Sequence, residues 1–442
     1  MNPIAVWQRY WFPAVPVRRI AVYRLVIAAF AFIDVTVVSG FISRYSHVSQ
    51  EFYKPLYILR IMGHHFQVSP AVTTALHIVL AITLAMALIG LYTRVALIIS
   101  APLYLWWFAT YYSYGAVQHG RIIVVISLVV LAIAPAGRAL SVDAIRLRSR
   151  RAVAGAALPA PLNETDPLAG WSMRVIMILV VAAYTLAAYA KVHTSGLGWA
   201  TSGALQRLII EKHTPAGMWL SHYPEIVKLM QVLTLIMEGT TAIVLFRGRI
   251  RDLYFLSLAM FHVGTLVLTN INFLGLMVGY LAFYDLEVGA ARISAFAGRL
   301  SRAKPVDVIY DSDCGLCVRA VTVLKSLDWF GAISARPGPA GIPAMRAIYR
   351  GHVSEGYDAF RQVARVVPVL WLALPFAYLP PVAALGHRAY AWVAAHRSTS
   401  GACGVGPDAA CTVPGHDHAA VVGSVDDGLG GSNATIAGRD RA

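Results

Sequence analysis

Val306–Leu327 reads VDVIYDSDCGLCVRAVTVLKSL, and it decides how the C-terminal part of the chain folds. The β-branched run Val306–Tyr310 predicts a strand. It ends in an acidic turn, Asp311-Ser312-Asp313, and Cys314-Gly315-Leu316-Cys317 follows at once. Beyond it, Val318, Val321, Leu324 and Leu327 recur on one helical face. The cysteine pair therefore sits between a strand and a helix, at the helix's first turn. The partial positive charge and free N–H groups there favour a thiolate, which is the nucleophile of disulfide exchange. Gly315 lets the backbone turn closely between the two sulfurs. Cys314, nearer the turn, reads as the attacking thiolate. Cys317, one helical turn inward, would resolve the mixed disulfide. A zinc half-site is the weaker reading, because the other cysteines, Cys403 and Cys411, lie far off in a polar tail; no metal site is expected. Two inert core cysteines fit less well still, since strand, CxxC and helix in that order form a redox arrangement.

YDSDCGLCVRAVTVLKSLD resembles the signature of the DCC family of thiol–disulfide oxidoreductase-like proteins, a thioredoxin-fold group whose usual motif is YDGDCGFC. Ser312 stands for the usual Gly and Leu316 for the usual Phe; neither touches a sulfur. The motif brings Asp311 and Asp313 beside the cysteines. The likeness continues through Gly351–Phe360 (GHVSEGYDAF) to Tyr390–Arg397 (YAWVAAHR). It implies a small α/β thioredoxin-like domain over residues 305–397. Between Phe330 and Met345 the chain is shorter than a typical member, which puts one strand of the sheet in question. Gly341-Ile342-Pro343, before the strand-like Ala344–Tyr349, resembles the thioredoxin pattern in which a cis-proline precedes a strand and faces the CxxC. A trans proline in a loop is the plainer alternative.

The 442 residues are 58% hydrophobic and only 13% charged, with a mean hydropathy of +0.62. A soluble domain carries about 25% charged residues. The rest of the chain therefore reads as an α-helical polytopic membrane bundle of about eight spans. The net charge of +15, from 37 Lys plus Arg against 22 Asp plus Glu, suits loops that meet anionic lipid, and no basic domain with interleaved aromatics suggests nucleic acid. No cleavable signal peptide is read, so the first span would serve as the targeting signal.

Residues 1–19 read as an amphipathic approach with Arg9, Arg18 and Arg19 in water. Spans are expected at Ile20–Gly40, Ala71–Tyr92, Val95–Gly115 and His119–Gly137, then, after an arginine-rich linker at 138–170, at Trp171–Val192, Ile226–Phe246, Leu253–Asn270 and Asn272–Asp285. The bundle thus covers residues 20–290. Arg24 and Asp34 lie inside the first span and should face the bundle interior. Arg94, Arg138–Arg151, Arg247–Arg251 and Arg292–Lys304 fall on one side of eight spans. The positive-inside rule makes that side cytoplasmic, with both termini and the CxxC domain, in the plasma membrane. Val366–Gly386 is apolar but holds Pro368, Pro375, Pro380 and Pro381. It reads as a domain segment lying on the membrane or packed in a core, not as a ninth span. Residues 398–442 read as a disordered tail.

A second polar cluster belongs to the bundle. Lys191 closes the fifth span, His119 and Arg121 open the fourth, Glu238 lies in the sixth and His262 in the seventh. Ionisable groups in spans are candidate functional residues. A desolvated lysine can serve as a base, although snorkelling to the interface is the plain alternative for Lys191. His119–Asp143, Tyr189–Leu205 and Phe261–Asp285 look like the HTTM family, the membrane domain shared with vitamin K-dependent γ-glutamyl carboxylases. That resemblance implies a base role for Lys191, with His119 supporting the same site, and a pocket for a quinone or similar lipid-soluble molecule. The chain lacks the carboxylases' large lumenal domain, which counts against carboxylation of protein glutamates.

Three functions remain open on sequence. The first is a membrane thiol–disulfide oxidoreductase with a quinone-binding bundle, a thiol/disulfide partner and the bilayer as its surroundings. The second is a carboxylase-like membrane enzyme. The third is a non-catalytic transporter or scaffold.

Overall fold

The computed structural model describes residues 2–115, 118–153, 164–246, 248–301, 305–311, 314–328, 331–339, 342–371 and 373–396. Asp313, Cys403, Cys411 and the expected tail lie outside them. Five described helices are long and apolar enough to cross a membrane. They are α1 (Val17–Val38, its last turn a π-helix), α2 (Pro70–Ile89), α3 (Thr93–Tyr112), α6 (Pro167–Ser195) and α8 (Arg249–Thr269). The other three expected spans fall short. The helix α4 (Ile122–Ile133) has 12 residues, about 18 Å of rise against a hydrocarbon core of about 30 Å. The helix α7 (Pro224–Gly239) has 16 residues and gives way to a 3-10 turn at Thr241–Leu245. The last is a pair, Leu274–Phe283 and Leu286–Ile293, bent by 94°. Among the described residues, five helices are long and apolar enough to cross, or six if the bent pair is one crossing; the eight expected are not confirmed. Apolar composition runs on through Gly239-Thr240 and Tyr284-Asp285 although the helix does not.

Local chemistry sets the helix ends. Pro70 opens α2, where its missing N–H costs nothing. Gly90 closes it in the left-handed region at φ 70°. A Cβ there would collide with Ser141 and come within 2.7 Å of Arg24 Nη1, so no other residue fits. Asp166 caps α6 by accepting the Leu168 N–H at 2.7 Å. The arginine-rich linker is not slack at its start. It forms the helix α5 (Val142–Val153), whose Asp143 accepts the Tyr92 and Thr93 N–H groups and the Thr93 hydroxyl at 2.7–3.0 Å. This ties α5 to the tight turn between α2 and α3.

The bundle core is built on Ile20, Tyr23, Tyr104, Trp107 and Leu128, all fully buried or nearly so. Arg24 and Asp34 are buried inside it, as their place in a span requires. Arg24 Nη1 donates to the Ala136 carbonyl at 3.0 Å. Asp34 accepts from Tyr104 Oη at 2.7 Å and from Arg121 Nε and Nη2 at 2.8 and 2.9 Å. Arg19, expected in water, instead forms a two-pronged pair with Glu287 at 2.6 and 2.9 Å, at the start of the helix α9 (Leu286–Ser301). The reason is that α1 begins at Val17, so Arg19 already faces α9. Ahead of it, Pro3–Trp11 is helical and Val15–Pro16 pairs with Thr165–Asp166.

The C-terminal domain is a mixed four-stranded sheet of order β2-β1-β3-β4. Its strands are β1 (Val306–Asp311), β2 (Ile333–Gly338), β3 (Arg346–Tyr349) and β4 (His352–Glu355). The helix α10 (Gly315–Leu327) connects β1 to the parallel β2. The strand put in question by the short Phe330–Met345 stretch is therefore present, as β2. Val306, Val308, Val321, Leu324, Ile333, Ala347 and Val363 form the core, closed by the helix α11 (Tyr357–Val366). The segment after it is a 3-10 turn at Pro368–Leu370, a short helix at Leu374–Ala377 and the helix α12 (Pro380–His396). No continuous span crosses Val366–Gly386, because its prolines interrupt the helix. The helix α10 also packs against α5, which joins the two parts of the chain.

Candidate functional site

Residues from two places were singled out by sequence, and they stay apart in space. The dithiol lies where β1 meets α10. Cys314 is the N-cap residue of α10, in extended backbone, and its Sγ accepts the Cys317 N–H at 3.3 Å. One sulfur thus does the work that Ser or Asp does at other helix starts, and it lies among N–H groups that no helical carbonyl satisfies. Both cysteines are half-buried. Leu316 between them is exposed, so the motif reaches the surface. Asp311 is buried at the end of β1, opposite Gly338 of β2. Pro343 is exposed and lies in a bend ahead of β3, which starts at Arg346 and not at Ala344. Among the described residues no peptide bond is cis. Of the two alternatives left open for Pro343, the structure has the trans form, which X–Pro bonds prefer by about 0.5–1 kcal/mol.

The second place is a cavity of about 710 Å³ between α6, α7 and α8. Its walls are mostly apolar: Leu205, Leu233, Met260, Phe261 and Leu276 among others. Among the polar residues that line it are His119, Tyr184, Lys191, Arg207, Glu238 and His262, with several Ser and Thr hydroxyls. Four of the five bundle residues named from sequence are therefore together. Lys191 Nζ donates to Glu238 Oε2 at 2.6 Å and lies 5.4 Å from the centre of the Trp199 ring. The lysine does not simply reach for the interface; it is paired.

Backbone packing brings His119 in. A Cβ on Gly275 would run into the Gly120 carbonyl, and one on Gly120 would meet the Asn272 carbonyl at 3.0 Å. With neither Cβ present the two loops touch, and the His119 ring comes 5.2 Å from Phe273. His262 is buried, and its Nε2 is 2.5 Å from Tyr184 Oη. Tyr184 Oη also bonds Tyr280 Oη. The other ring nitrogen of His262, Nδ1, is buried with no partner among the described residues. A buried polar atom left unpaired is costly, and the residue that carries it is part of the cavity wall.

The fifth residue, Arg121, belongs elsewhere. It pairs with Asp34 and lies over the Phe108 ring at 4.3 Å, so it holds α1, α3 and the approach to α4 together. Tyr280 was missed by sequence reading. Tyr184 had a signal, since it precedes Lys191 by two helical turns and so shares its face. Tyr280 lies in a 3-10 stretch, where no periodicity marks a face.

The two sites occupy opposite ends of the bundle. The helix α5, against which the cysteine helix packs, is held at the start of α3, and α6 begins at that end through the Arg138–Asp166 pair. From Pro167 to Lys191 the helix α6 rises roughly 36 Å at about 1.5 Å per residue. Among the described residues no group of three or more potential ligands could hold a metal.

No curated protein and no solved structure matches the chain. Residues 308–402 match the family model described as DCC1-like thiol-disulfide oxidoreductase, so this part of the chain is a thiol–disulfide oxidoreductase-like domain carried beside five helices apolar and long enough for a membrane.

Proposed function

We propose that the chain is an integral membrane thiol–disulfide oxidoreductase whose bundle, of the HTTM kind, binds a quinone-like molecule. The observation that carries this is Cys314 Sγ at the first turn of α10, accepting the Cys317 N–H within the segment that matches the redox family. In the reduced state the Cys314 thiolate attacks one sulfur of a target disulfide. That S–S bond breaks and one target thiolate leaves. The Cys317 thiolate then attacks Cys314 Sγ in the mixed disulfide and releases the second target thiolate. Two electrons pass from the protein dithiol to the target, and the leaving thiolates take up protons.

The cavity suits a lipid-soluble ring compound: it is large, mostly apolar and furnished with a few converging polar groups. His262 and His119 would lie nearest the ring oxygens, and the Lys191–Glu238 pair would hold a proton beside them. Bound there, a quinone supplies a two-electron, two-proton couple. The separation of the two sites rules out direct contact, so electrons would move between them on a mobile thiol carrier. The arginines of α5, at the dithiol's end of the bundle, support a cytoplasmic dithiol in a plasma-membrane protein. A carboxylase-like reading rests on Lys191 as a base. Its salt bridge to Glu238 counts against that in the resting site.

The test uses the full chain in nanodiscs. Purified wild type should reduce a disulfide-linked peptide stoichiometrically, Cys317→Ser should accumulate a covalent mixed disulfide, and Cys314→Ser should do neither. Unchanged peptide reduction by Cys314→Ser would overturn the redox reading. Binding of a short-tailed ubiquinone analogue, lost in His262→Phe but kept in Cys314→Ser, supports the pocket; equal binding by His262→Phe would remove it.

A further inference from the structure

The segment Trp371–Trp392 has no role in either site, yet its surface is unusual. Trp371, Phe376, Leu379, Val382, Leu385 and Trp392 are each between 40% and 67% exposed. Four exposed positions of α12, Val382, Leu385, Ala389 and Trp392, recur at helical spacing and so form one stripe. A different side of the helix holds it to the domain. A Cβ on Gly386 would strike the Tyr357 ring, and Tyr390 Oη accepts the Met345 N–H at 2.9 Å. The stripe is therefore left over after α12 has already docked.

Charge around it is mostly positive; the acid beside it, Asp358, is paired with Arg361 at 2.7 Å. From Ala359 to His396 there is no Asp or Glu, while Arg361, Arg365 and Arg388 are present. The Arg361 and Arg365 guanidinium groups lie 3.6 and 5.3 Å from the centre of the Tyr378 ring, between the two halves of the apolar surface. Exposed aromatic and aliphatic side chains flanked by Arg365 and Arg388, with the one neighbouring acid, Asp358, already paired, match the interfacial region of an anionic bilayer. Such a bilayer is at hand, because the same chain carries five helices fit to cross it. Tethering makes even a weak surface affinity effective.

We infer that the Trp371–Trp392 face of the C-terminal domain lies in the headgroup region of the membrane that holds the bundle, with Trp371 and Trp392 as interfacial anchors. The prolines at 375, 380 and 381 keep the segment on the surface and out of the hydrocarbon core. Docking there fixes the domain's height above the bilayer, and with it the level at which the Cys314 sulfur meets partners. This holds whether or not the bundle binds a quinone.

The test uses the full chain with its four cysteines replaced by serine and a single cysteine restored for spin labelling, at Leu385→Cys, at Trp392→Cys or at the control His352→Cys, an exposed position in β4. In nanodiscs of mixed zwitterionic and anionic lipid, relaxation by oxygen is compared with relaxation by a water-soluble nickel chelate. The oxygen-to-nickel ratio should be several-fold higher at 385 and 392 than at 352. Ratios at 385 and 392 equal to that at 352 would overturn the inference. So would spin–spin broadening at 385 that vanishes on dilution with unlabelled protein, because the face would then be covered by a second copy.

Discussion

The Lys191–Glu238 pair lends itself to a two-way dissection. Glu238 is 7% exposed and Lys191 24% exposed, so the two partners are not equally trapped. Lys191→Met strands a carboxylate that has nowhere to go. Removing one partner of a buried pair costs about 3–5 kcal/mol, and the lower end applies because one partner touches solvent. Glu238→Met strands a lysine that can swing along its flexible stem toward the open side, for about 1 kcal/mol. Replacing both with Met removes two desolvated charges and refills the space, which is often neutral or better. At about 2–4 °C per kcal/mol for a body of this size, thermal unfolding in nanodiscs should fall about 6–12 °C for Lys191→Met, about 2–4 °C for Glu238→Met and less than about 4 °C for the double variant. The double variant should still fail to bind the ubiquinone analogue, because stability is restored without the polar floor. If the double variant falls by the sum of the singles, the two residues are not coupled and the pair has been misjudged. If it binds the analogue as wild type does, the pair serves packing alone.

Other outcomes follow from separate parts of the molecule. Asp34→Ala deprives Arg121 and Tyr104 of a shared acceptor and should lower the thermal midpoint by about as much as Lys191→Met, with Asp34→Asn intermediate; indifference to both would mean the network is ornamental. Gly90→Ala combines a left-handed backbone with a collision against Ser141, about 2–5 kcal/mol in all, and should cut the yield of folded protein on size-exclusion chromatography, whereas Gly264→Ala, in open space, should leave it unchanged. Leu316→Phe, which restores the usual residue between the cysteines at an exposed site, should change peptide reduction less than twofold; a larger change would place that side chain in contact with the target.

The C-terminal domain was legible because its signals are local. A β-branched run, an acidic turn and a 3.6-residue repeat are all contained within Val306–Leu327, and the cysteines fall at the junction. The bundle was legible only in part. Lys191, Glu238, His262 and His119, which line one cavity, stood out because an ionisable group in an apolar run is conspicuous by itself. Where each one points is a matter of helix rotation, and Arg121 shows the consequence: it stands two residues from His119 yet turns to Asp34. Helix ends within the apolar runs were hidden in the same way, since hydropathy averages across a break such as Gly239-Thr240 without registering it.

The contact of Gly120 with Gly275 bears on how anything gets into the bundle. Main chain lies on main chain there, with the Phe273 ring beside it. Met260 and Leu233, by contrast, line the hollow and also face outward, at 68% and 53% exposure. For the lipid-soluble guest proposed above, the doorway would then be sideways, through the fatty layer. A guest would dissolve among the acyl chains first and arrive already concentrated, while a water-soluble look-alike with the same head would be left at the surface.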